Sequence, residues 1–193
     1  MDSDEASLLA ELTTDLEHTF EKLMTIYWHQ LYAFVLRRTA NSQDAEDIVS
    51  EAFIRSYLAL KGYPIERIRV LKLRSWLYKI TYHEYCRYIG RSLYPSASVA
   101  YLEEEVGFEK EDDENKRPEM LLEDAERRQE LEDLVATLPD RYREAVSLYY
   151  FEGFSYQEIA DLLNQPIGTI KSSVHRGIRL LRKVVNTQSN EVY

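Results

Sequence analysis

The sequence contains a single cysteine, Cys86, among its 193 residues. One cysteine cannot form a disulfide within the chain and cannot hold a zinc ion alone. No stretch is long and apolar enough to span a bilayer, and the acidic segment 1–12 lacks the basic start and apolar middle of a signal peptide. These absences predict a cytoplasmic protein that is not inserted in a membrane.

The residue combinations of an enzyme active site are also missing. The four histidines fall in different predicted helices, and the sequence has no glycine-rich phosphate loop. A nuclease built on Asp44 and Asp47 would need a metal ion, but an oxygen cage requires several converging ligands that the sequence does not supply. We therefore predict no catalytic residue, no metal site and no cofactor.

Charge is distributed unevenly along the chain. The formal net charge is −10, and that total argues against a protein that binds DNA alone. Residues 101–133, however, contain fifteen acidic and five basic residues, so this segment carries the whole negative surplus. Residues 61–91 hold eight basic residues against two acids, and residues 166–183 hold five and no acid. The acidic segment between them is either a solvated linker or a nucleic-acid mimic that shields the basic segments.

Apolar residues recur at three- and four-residue steps, which predicts helices, and no alternating strand pattern is present. We predict an all-α fold of two small helical domains joined by an acidic linker, the C-terminal domain being a helix-turn-helix. Ser42 is expected to cap the second helix. The predicted parts are an N-terminal extension (1–17), a domain of three helices (18–93), the linker (94–118), the helix-turn-helix domain (119–187) and a C-terminal tail (188–193).

The strongest local pattern lies in the last forty residues. Ser155 and Glu158 match the capping box that opens a short helix, residues 164–166 form a turn, and a longer helix runs from Ile167 to about residue 185. This order is typical of a helix-turn-helix. The predicted inner face of the last helix is Ile170, Val174, Ile178 and Leu181. Its candidate DNA-binding residues are Thr169, Lys171, Ser172, Ser173, His175, Arg176 and Arg179.

Three segments of this domain, residues 138–144, 152–160 and 166–172 (LPDRYRE, EGFSYQEIA and PIGTIKS), closely resemble the region 4 domain of extracytoplasmic-function (ECF) sigma factors. The resemblance implies that the domain reads the upstream (−35) promoter element in the major groove. Two positions depart from the family's pattern. Ser173 stands where the family usually has Arg, and Asn164, which tolerates the left-handed conformation, stands where the turn often has Gly.

The first domain resembles the same family. Residues 44–57 (DAEDIVSEAFIRSY) look like the region 2.2 helix, which docks on core RNA polymerase. The core-binding residues that the resemblance implies are Asp44, Asp47, Ile48, Glu51, Phe53 and Arg55. The resemblance also implies an anti-sigma factor as a partner, besides core RNA polymerase and promoter DNA.

The third predicted helix, residues 74–89, is rich in aromatic and basic side chains. Aromatic faces beside cations suit unstacked bases, although such a stripe can equally serve packing. By resemblance the segment corresponds to region 2.3, which helps to melt and read the downstream (−10) element. The implied DNA-contacting residues are Arg74, Trp76, Tyr78, Lys79, Tyr82, His83 and Arg87. The family usually has Asn at position 83 and often Asp at position 87.

Three functions stay open at this point. The chain could be a sigma factor, a helix-turn-helix transcription regulator with an effector-binding first half, or a sigma-like protein that has lost promoter opening. The acidic docking helix argues against the regulator, whereas the departures at His83 and Arg87 keep the third function open. We predict a sigma factor that binds core polymerase and directs promoter-specific initiation, with catalysis left to the polymerase.

Overall fold

The computed structural model describes the backbone of residues 3–93 and 125–190, with side chains for residues 5–90 and 130–184. Within these ranges every regular element is a helix. The helices are α1 (Ser3–Leu12), α2 (Leu16–Thr39), α3 (Ser42–Gly62), α4 (Ile65–Arg69), α5 (Leu73–Leu93), α6 (Ala125–Ala136), α7 (Asp140–Tyr150), α8 (Tyr156–Leu163) and α9 (Ile167–Asn190). The predicted all-α fold is confirmed, and the predicted acidic linker lies outside the described residues.

The chain divides into two compact units, the first containing α1 to α5 and the second α6 to α9. In the first unit α3 packs against both α2 and α5. The core consists of fully buried apolar residues such as Leu23, Leu31, Phe34, Val49, Ala52, Leu60 and Leu77. The side chain of Asn41 accepts hydrogen bonds from the N–H groups of Gln43 and Asp44. The cap of α3 is therefore Asn41 and not Ser42, which is already helical.

The N-terminal extension contributes to the first unit. Helix α1 packs against α2 and α4, and its Leu9 and Leu12 are buried. The carboxylate of Glu5 accepts a 2.8 Å hydrogen bond from the backbone N–H of Leu73. Leu73 begins α5, and the first N–H groups of a helix have no partner within it. The first unit thus begins earlier than the predicted boundary at residue 18, because a ten-residue helix carries too short a pattern to reveal its partner.

The second unit contains the predicted helix-turn-helix, formed by α8 and α9. The Ser155 hydroxyl accepts the N–H of Glu158 at 3.3 Å, and the Glu158 carboxylate accepts the N–H of Ser155 at 2.9 Å. This reciprocal pair is the predicted capping box. Asn164 ends α8 in the left-handed conformation, with φ 51° and ψ 50°. The chain is thereby turned into α9 without a glycine in the turn.

Helix α9 approaches α7 closely at Gly177. A Cβ atom at this position would lie 2.6 Å from Cγ2 of Val146 and 3.4 Å from Cβ of Tyr142, which is too close for any residue other than glycine without a shift of the packed side chains. Ile170 and Val174 are fully buried on the same side of α9, whereas Ile178 is only half-buried. The inner face is therefore rotated from the predicted one toward Gly177.

Candidate nucleic-acid interface

Helix α9 presents a basic face on the surface of the second unit. Six of its seven candidate residues lie at this surface, with Thr169, His175, Arg176 and Arg179 exposed and Lys171 and Ser172 half-exposed. The opposite side of the helix packs on α7 and α8. Because no acid occurs between positions 166 and 183, the charges along this face are all positive. Such a helix can bring donors to base edges and cations to phosphates.

Ser173 is the seventh candidate, and the structure removes it from the set. Its side chain is buried, with 9% of its surface exposed. Residue 173 lies one turn from both Ile170 and Gly177, and positions three and four apart share a face of a helix. The polar side chain therefore points toward the interior of the unit and not toward a ligand.

Three tyrosines beside α9 were missed in the sequence. The rings of Tyr149 and Tyr156 are stacked, with centroids 4.7 Å apart and planes within 5° of parallel. Tyr150 meets the Tyr149 ring edge-on at 5.1 Å. Burial, together with a hydrogen bond to the Tyr149 hydroxyl, raises the pKa of Tyr156 to about 12. The adjacent pair Tyr149-Tyr150 is visible in the sequence, but its position beside α9 depends on how the helices pack.

Two aromatic candidates on α5 belong to the core of the first unit. Tyr78 is 1% exposed and meets the ring of Phe34 edge-on at 5.0 Å. Trp76 is also buried, with its ring 6.1 Å from that of Tyr63. Neither ring has a face available for a base. The predicted DNA contact is therefore wrong for both residues, because both rings are packed in the core.

The remaining candidates of α5 lie nearer the surface. His83 is exposed, and Arg74, Lys79 and Tyr82 are half-exposed. The ring of Tyr82 lies 6.1 Å from that of Tyr85. These side chains form a polar and aromatic surface that could contact an unpaired base.

Arg87 has a structural role that was not expected. Its guanidinium lies 3.0 Å from the carboxylate of Glu84, which also forms a 2.7 Å ion pair with Arg55 of α3. Glu84 is 6% exposed, and burial raises its pKa although the two arginines act in the opposite direction. The Arg87 side chain is only 12% exposed. In place of the predicted DNA contact, Arg87 forms an ion pair within α5 with Glu84, and Glu84 in turn joins α5 to α3 through Arg55.

The docking candidates of α3 divide into a surface group and a core group. Asp47 is exposed, Asp44 and Glu51 are half-exposed, and Arg55 pairs with Glu51 at 3.0 Å. The other two candidates, Ile48 and Phe53, are 3% and 2% exposed. These two apolar residues hold α3 in the unit, so only the acidic residues and Arg55 can touch a partner directly.

A neighbouring apolar groove was also missed. It has a volume of about 360 Å³ and is lined by side chains of α2 and α3, among them Met24, Trp28, Ile54 and Leu58. Ile54 and Leu58 are 55% and 61% exposed. In the sequence they appear only as apolar residues off the main stripe of α3, so the groove could not be seen there.

Neither a metal site nor a membrane span is evident in the part of the chain that the structure describes. Residues 3–93 and 125–190 contain no group of three or more histidine, cysteine or acidic side chains arranged to hold a metal ion. In the same ranges no helix combines the length and the apolar composition needed to cross a membrane.

Comparison with known proteins identifies the family. The Sigma-70 region 2 family matches residues 23–92, and the Sigma-70, region 4 family matches residues 128–181. The ECF RNA polymerase sigma factor SigW of Bacillus subtilis (strain 168) is 32% identical over 170 residues, which cover 86% of this chain and 89% of SigW. The chain belongs to the ECF sigma factors of the sigma-70 family. It is a promoter-recognising sigma factor. Its first unit contains region 2 and its second unit contains region 4, and each unit is called by the region that it contains.

Further relatives agree with this assignment. The ECF RNA polymerase sigma-E factor of Escherichia coli (strain K12) is 33% identical over 165 residues, which cover 83% of each chain. The fold is shared with CnrH, whose structure was solved in complex with the cytosolic domain of CnrY. The TM-score is 0.61 at 17% identity, and the match covers 95% of this chain and 97% of CnrH. The sigma factor RpoE of Bartonella quintana, solved with the anti-sigma factor NepR, gives a TM-score of 0.57 at 24% identity, covering 86% of this chain and 96% of RpoE.

Proposed function

We propose that this sigma factor binds core RNA polymerase through the acidic surface of α3, places α9 in the upstream (−35) element and uses α5 to help separate the strands at the downstream (−10) element. The single observation that supports this best is the exposed basic face of α9 on a capped helix-turn-helix. Catalysis belongs to the polymerase, and the protein acts in the cytoplasm, where the polymerase is.

The proposed upstream contacts are Lys171, Arg176 and Arg179, supported by Thr169, Ser172 and His175. A basic side chain that reaches both acceptors of a guanine contributes about 1–3 kcal/mol of discrimination between bases. The negative total charge of the chain weakens its binding to DNA on its own. Attachment to polymerase therefore supplies the local concentration that α9 needs.

The proposed downstream contacts are Arg74, Lys79, Tyr82 and His83. A sigma-like protein that has lost promoter opening is the second candidate function, and its remaining support is His83. Arg87 no longer supports it, because this side chain pairs with Glu84 and is not a DNA contact that has changed.

An anti-sigma factor is a further proposed partner. Of two solved structures that share the fold, one holds the sigma factor RpoE with the anti-sigma factor NepR, and the other holds CnrH with the cytosolic domain of CnrY. A partner of this kind would prevent transcription by covering the acidic surface of α3 or the basic face of α9.

In vitro transcription with core polymerase and a promoter library tests the proposal. We expect initiation above that of core polymerase alone, and Arg176→Ala and Lys171→Ala should each weaken upstream-element use by roughly 1–3 kcal/mol. Arg141→Ala, an exposed arginine on α7, is the matched control and should initiate normally. Core binding without strand separation would favour the second candidate, and absence of core binding would refute both.

A further inference from the structure

Helix α5 begins without a side-chain cap of its own. The residue before its first turn is Lys72, whose carbonyl accepts the N–H of Trp76 at 2.9 Å. A lysine side chain has no oxygen, so it cannot accept the N–H groups that the start of a helix leaves without partners. Helices α2, α3 and α8, by contrast, are capped by Asp15, Asn41 and Ser155, each directly before its own helix. Helix α5 therefore depends on an acceptor from elsewhere in the chain.

Helix α1 supplies this acceptor. The carboxylate of Glu5 accepts the N–H of Leu73, the first residue of α5, at 2.8 Å. A negatively charged side chain at the N-terminus of a helix also interacts favourably with the helix dipole. Because Glu5 and Leu73 are 68 positions apart in the sequence, the start of α5 is fixed only when α1 is packed in its place.

Helix α1 is itself held by contacts that do not involve α5. Leu9 and Leu12 are each 2% exposed, and the helix packs against α2 and α4. Glu11 forms a 2.9 Å ion pair with Lys22 of α2. Glu5 thus stands on a helix whose position is set by α2 and α4, and it can transmit that position to the first turn of α5.

The first turn of α5 lies among exposed cations. Leu73 is buried, whereas Arg69 and Lys72 before it are exposed and Arg74 after it is half-exposed. Helix ends fray more readily than helix interiors, and fraying here would displace Arg74 first. Phosphate contacts fix the register and orientation of a protein on DNA, so a cation that moves with a fraying end would lose this function.

We propose that α1 positions α5 for promoter opening through Glu5, which holds the first turn of α5 and keeps Arg74 aligned with the downstream element while the strands separate. The inference rests on the proposed role of α5 at that element. Glu5 is a positioning residue and contacts no DNA itself. Its effect should appear in the rate of strand separation and not in the affinity for core polymerase, because the proposed docking surface lies on α3.

The opening kinetics of the complete holoenzyme test this role, with a fluorescent base analogue in the downstream element as the reporter of strand separation. Glu5→Ala should open a duplex promoter roughly 2- to 10-fold more slowly, as expected for the loss of one hydrogen bond, with unchanged core affinity. Glu5→Gln keeps a side-chain oxygen as acceptor and should recover most of the rate.

The matched control is Glu11→Ala, which removes a carboxylate of α1 that pairs with Lys22 and not with α5. This variant should open the promoter at the wild-type rate. Equal slowing in Glu11→Ala and Glu5→Ala would assign the effect to the charge or packing of α1 as a whole and refute the role of Glu5.

A promoter whose downstream element is already unpaired separates positioning from general damage. No strand separation is needed on this template, so Glu5→Ala should initiate on it as wild type does. A loss as large as that on the duplex promoter would show that the variant contains less active protein, and this result would overturn the inference.

Lys72→Asn tests whether Glu5 acts through the start of α5, because it gives the helix a side-chain cap of its own. The change also removes an exposed cation, so the comparison is made within this background. Glu5→Ala should slow opening less here than in wild type, since two groups that fix the same helix start are non-additive. Equal slowing in the two backgrounds would refute the inference.

Failure of the inference can be distinguished from failure of the proposed function. If the wild-type holoenzyme opens no promoter, the proposed function is refuted. If the wild-type holoenzyme opens promoters and Glu5→Ala opens them equally fast, only the role of Glu5 is refuted.

Discussion

Regions 2 and 4 hold their proposed DNA-contacting helices in different ways. In region 2, α5 is joined to α3 through Glu84, which binds Arg55 and Arg87 at 2.7 Å and 3.0 Å. In region 4, α9 is seated on α7 through apolar side chains and the close approach at Gly177. The first arrangement encloses Arg87, a cation of its own helix, whereas the second leaves the cations of its helix outside. One cation of the basic segment of region 2 is therefore withdrawn from the surface, and those of α9 are not.

The apolar contact of α9 with α7 should be more sensitive to substitution than the Glu84 ion pairs of region 2. Gly177→Val forces side-chain atoms into the contact with Val146 and should destabilise region 4 by roughly 3 kcal/mol, the upper part of the range for overpacking. Gly168→Val is the control, because a Cβ there meets nothing within 4 Å. Thermal unfolding followed by circular dichroism measures the loss. Both tryptophans, Trp28 and Trp76, lie in region 2, so an unchanged fluorescence transition would show that the damage is confined to region 4.

Substitutions at the two ends of the Glu84–Arg87 ion pair should lower the stability of region 2 by unequal amounts. Arg87→Met leaves a buried carboxylate with one partner fewer and should cost roughly 1–3 kcal/mol. Glu84→Gln removes the charge that burial penalises and should stay within about 1 kcal/mol of wild type. Urea unfolding followed by tryptophan fluorescence gives both values. A larger loss in Glu84→Gln than in Arg87→Met would contradict the asymmetry and make the ion pairs the main source of stability.

The hydrogen bond between Glu5 of α1 and Leu73 of α5 is expected to contribute less to stability than the two contacts above. Glu5→Ala removes the acceptor for the N–H of Leu73 and should lower the free energy of unfolding of region 2 by about 1 kcal/mol. Ala6→Ser, a change at the neighbouring exposed position, is the control for α1. If the two variants unfold at the same urea concentration, the contact does not stabilise the unit. Slower promoter opening in Glu5→Ala would extend its role to the placement of α5.

The smallest expected effect is a pH dependence that arises from Glu84. Burial raises the pKa of Glu84 in the folded protein, so the stability that protonation contributes is fully present below the ordinary pKa of glutamate. That contribution is lost as the pH rises through the higher folded pKa. Wild type should therefore gain stability relative to Glu84→Gln when the pH falls from neutral into this window. A relative gain for Glu84→Gln over the same range would reverse the sign and disprove the burial argument.

Local sequence patterns were sufficient for the start of α8 and for the turn that follows it in region 4. The capping box and the turn at Asn164 involve residues within a few positions of each other, and both lie where they were predicted. The same patterns were insufficient for Ser173 and Tyr78, because periodicity shows which residues share a face but sets the orientation of that face only approximately. Both residues lie beside strongly apolar positions and were assigned to the wrong side.

Contacts between distant residues could not be predicted from one sequence. The hydrogen bond between Glu5 and Leu73 spans 68 positions, and the stack of Tyr149 on Tyr156 forms only when α7 meets α8. Glu84 was seen merely as one of two acids in a basic segment. Nothing in the order of residues indicates that its carboxylate is buried between two arginines of different helices.

The sequence by itself determined the helical fold, the two units, the family and the basic character of α9, since each depends on composition or short-range pattern. The tertiary structure alone decided which of these side chains are available. It assigned Arg87, Tyr78 and Ser173 to the interior, and it gathered three tyrosines and three arginines into one cleft. The physical reason is that burial and charge pairing depend on which helices meet, and that depends on the packing of the whole unit.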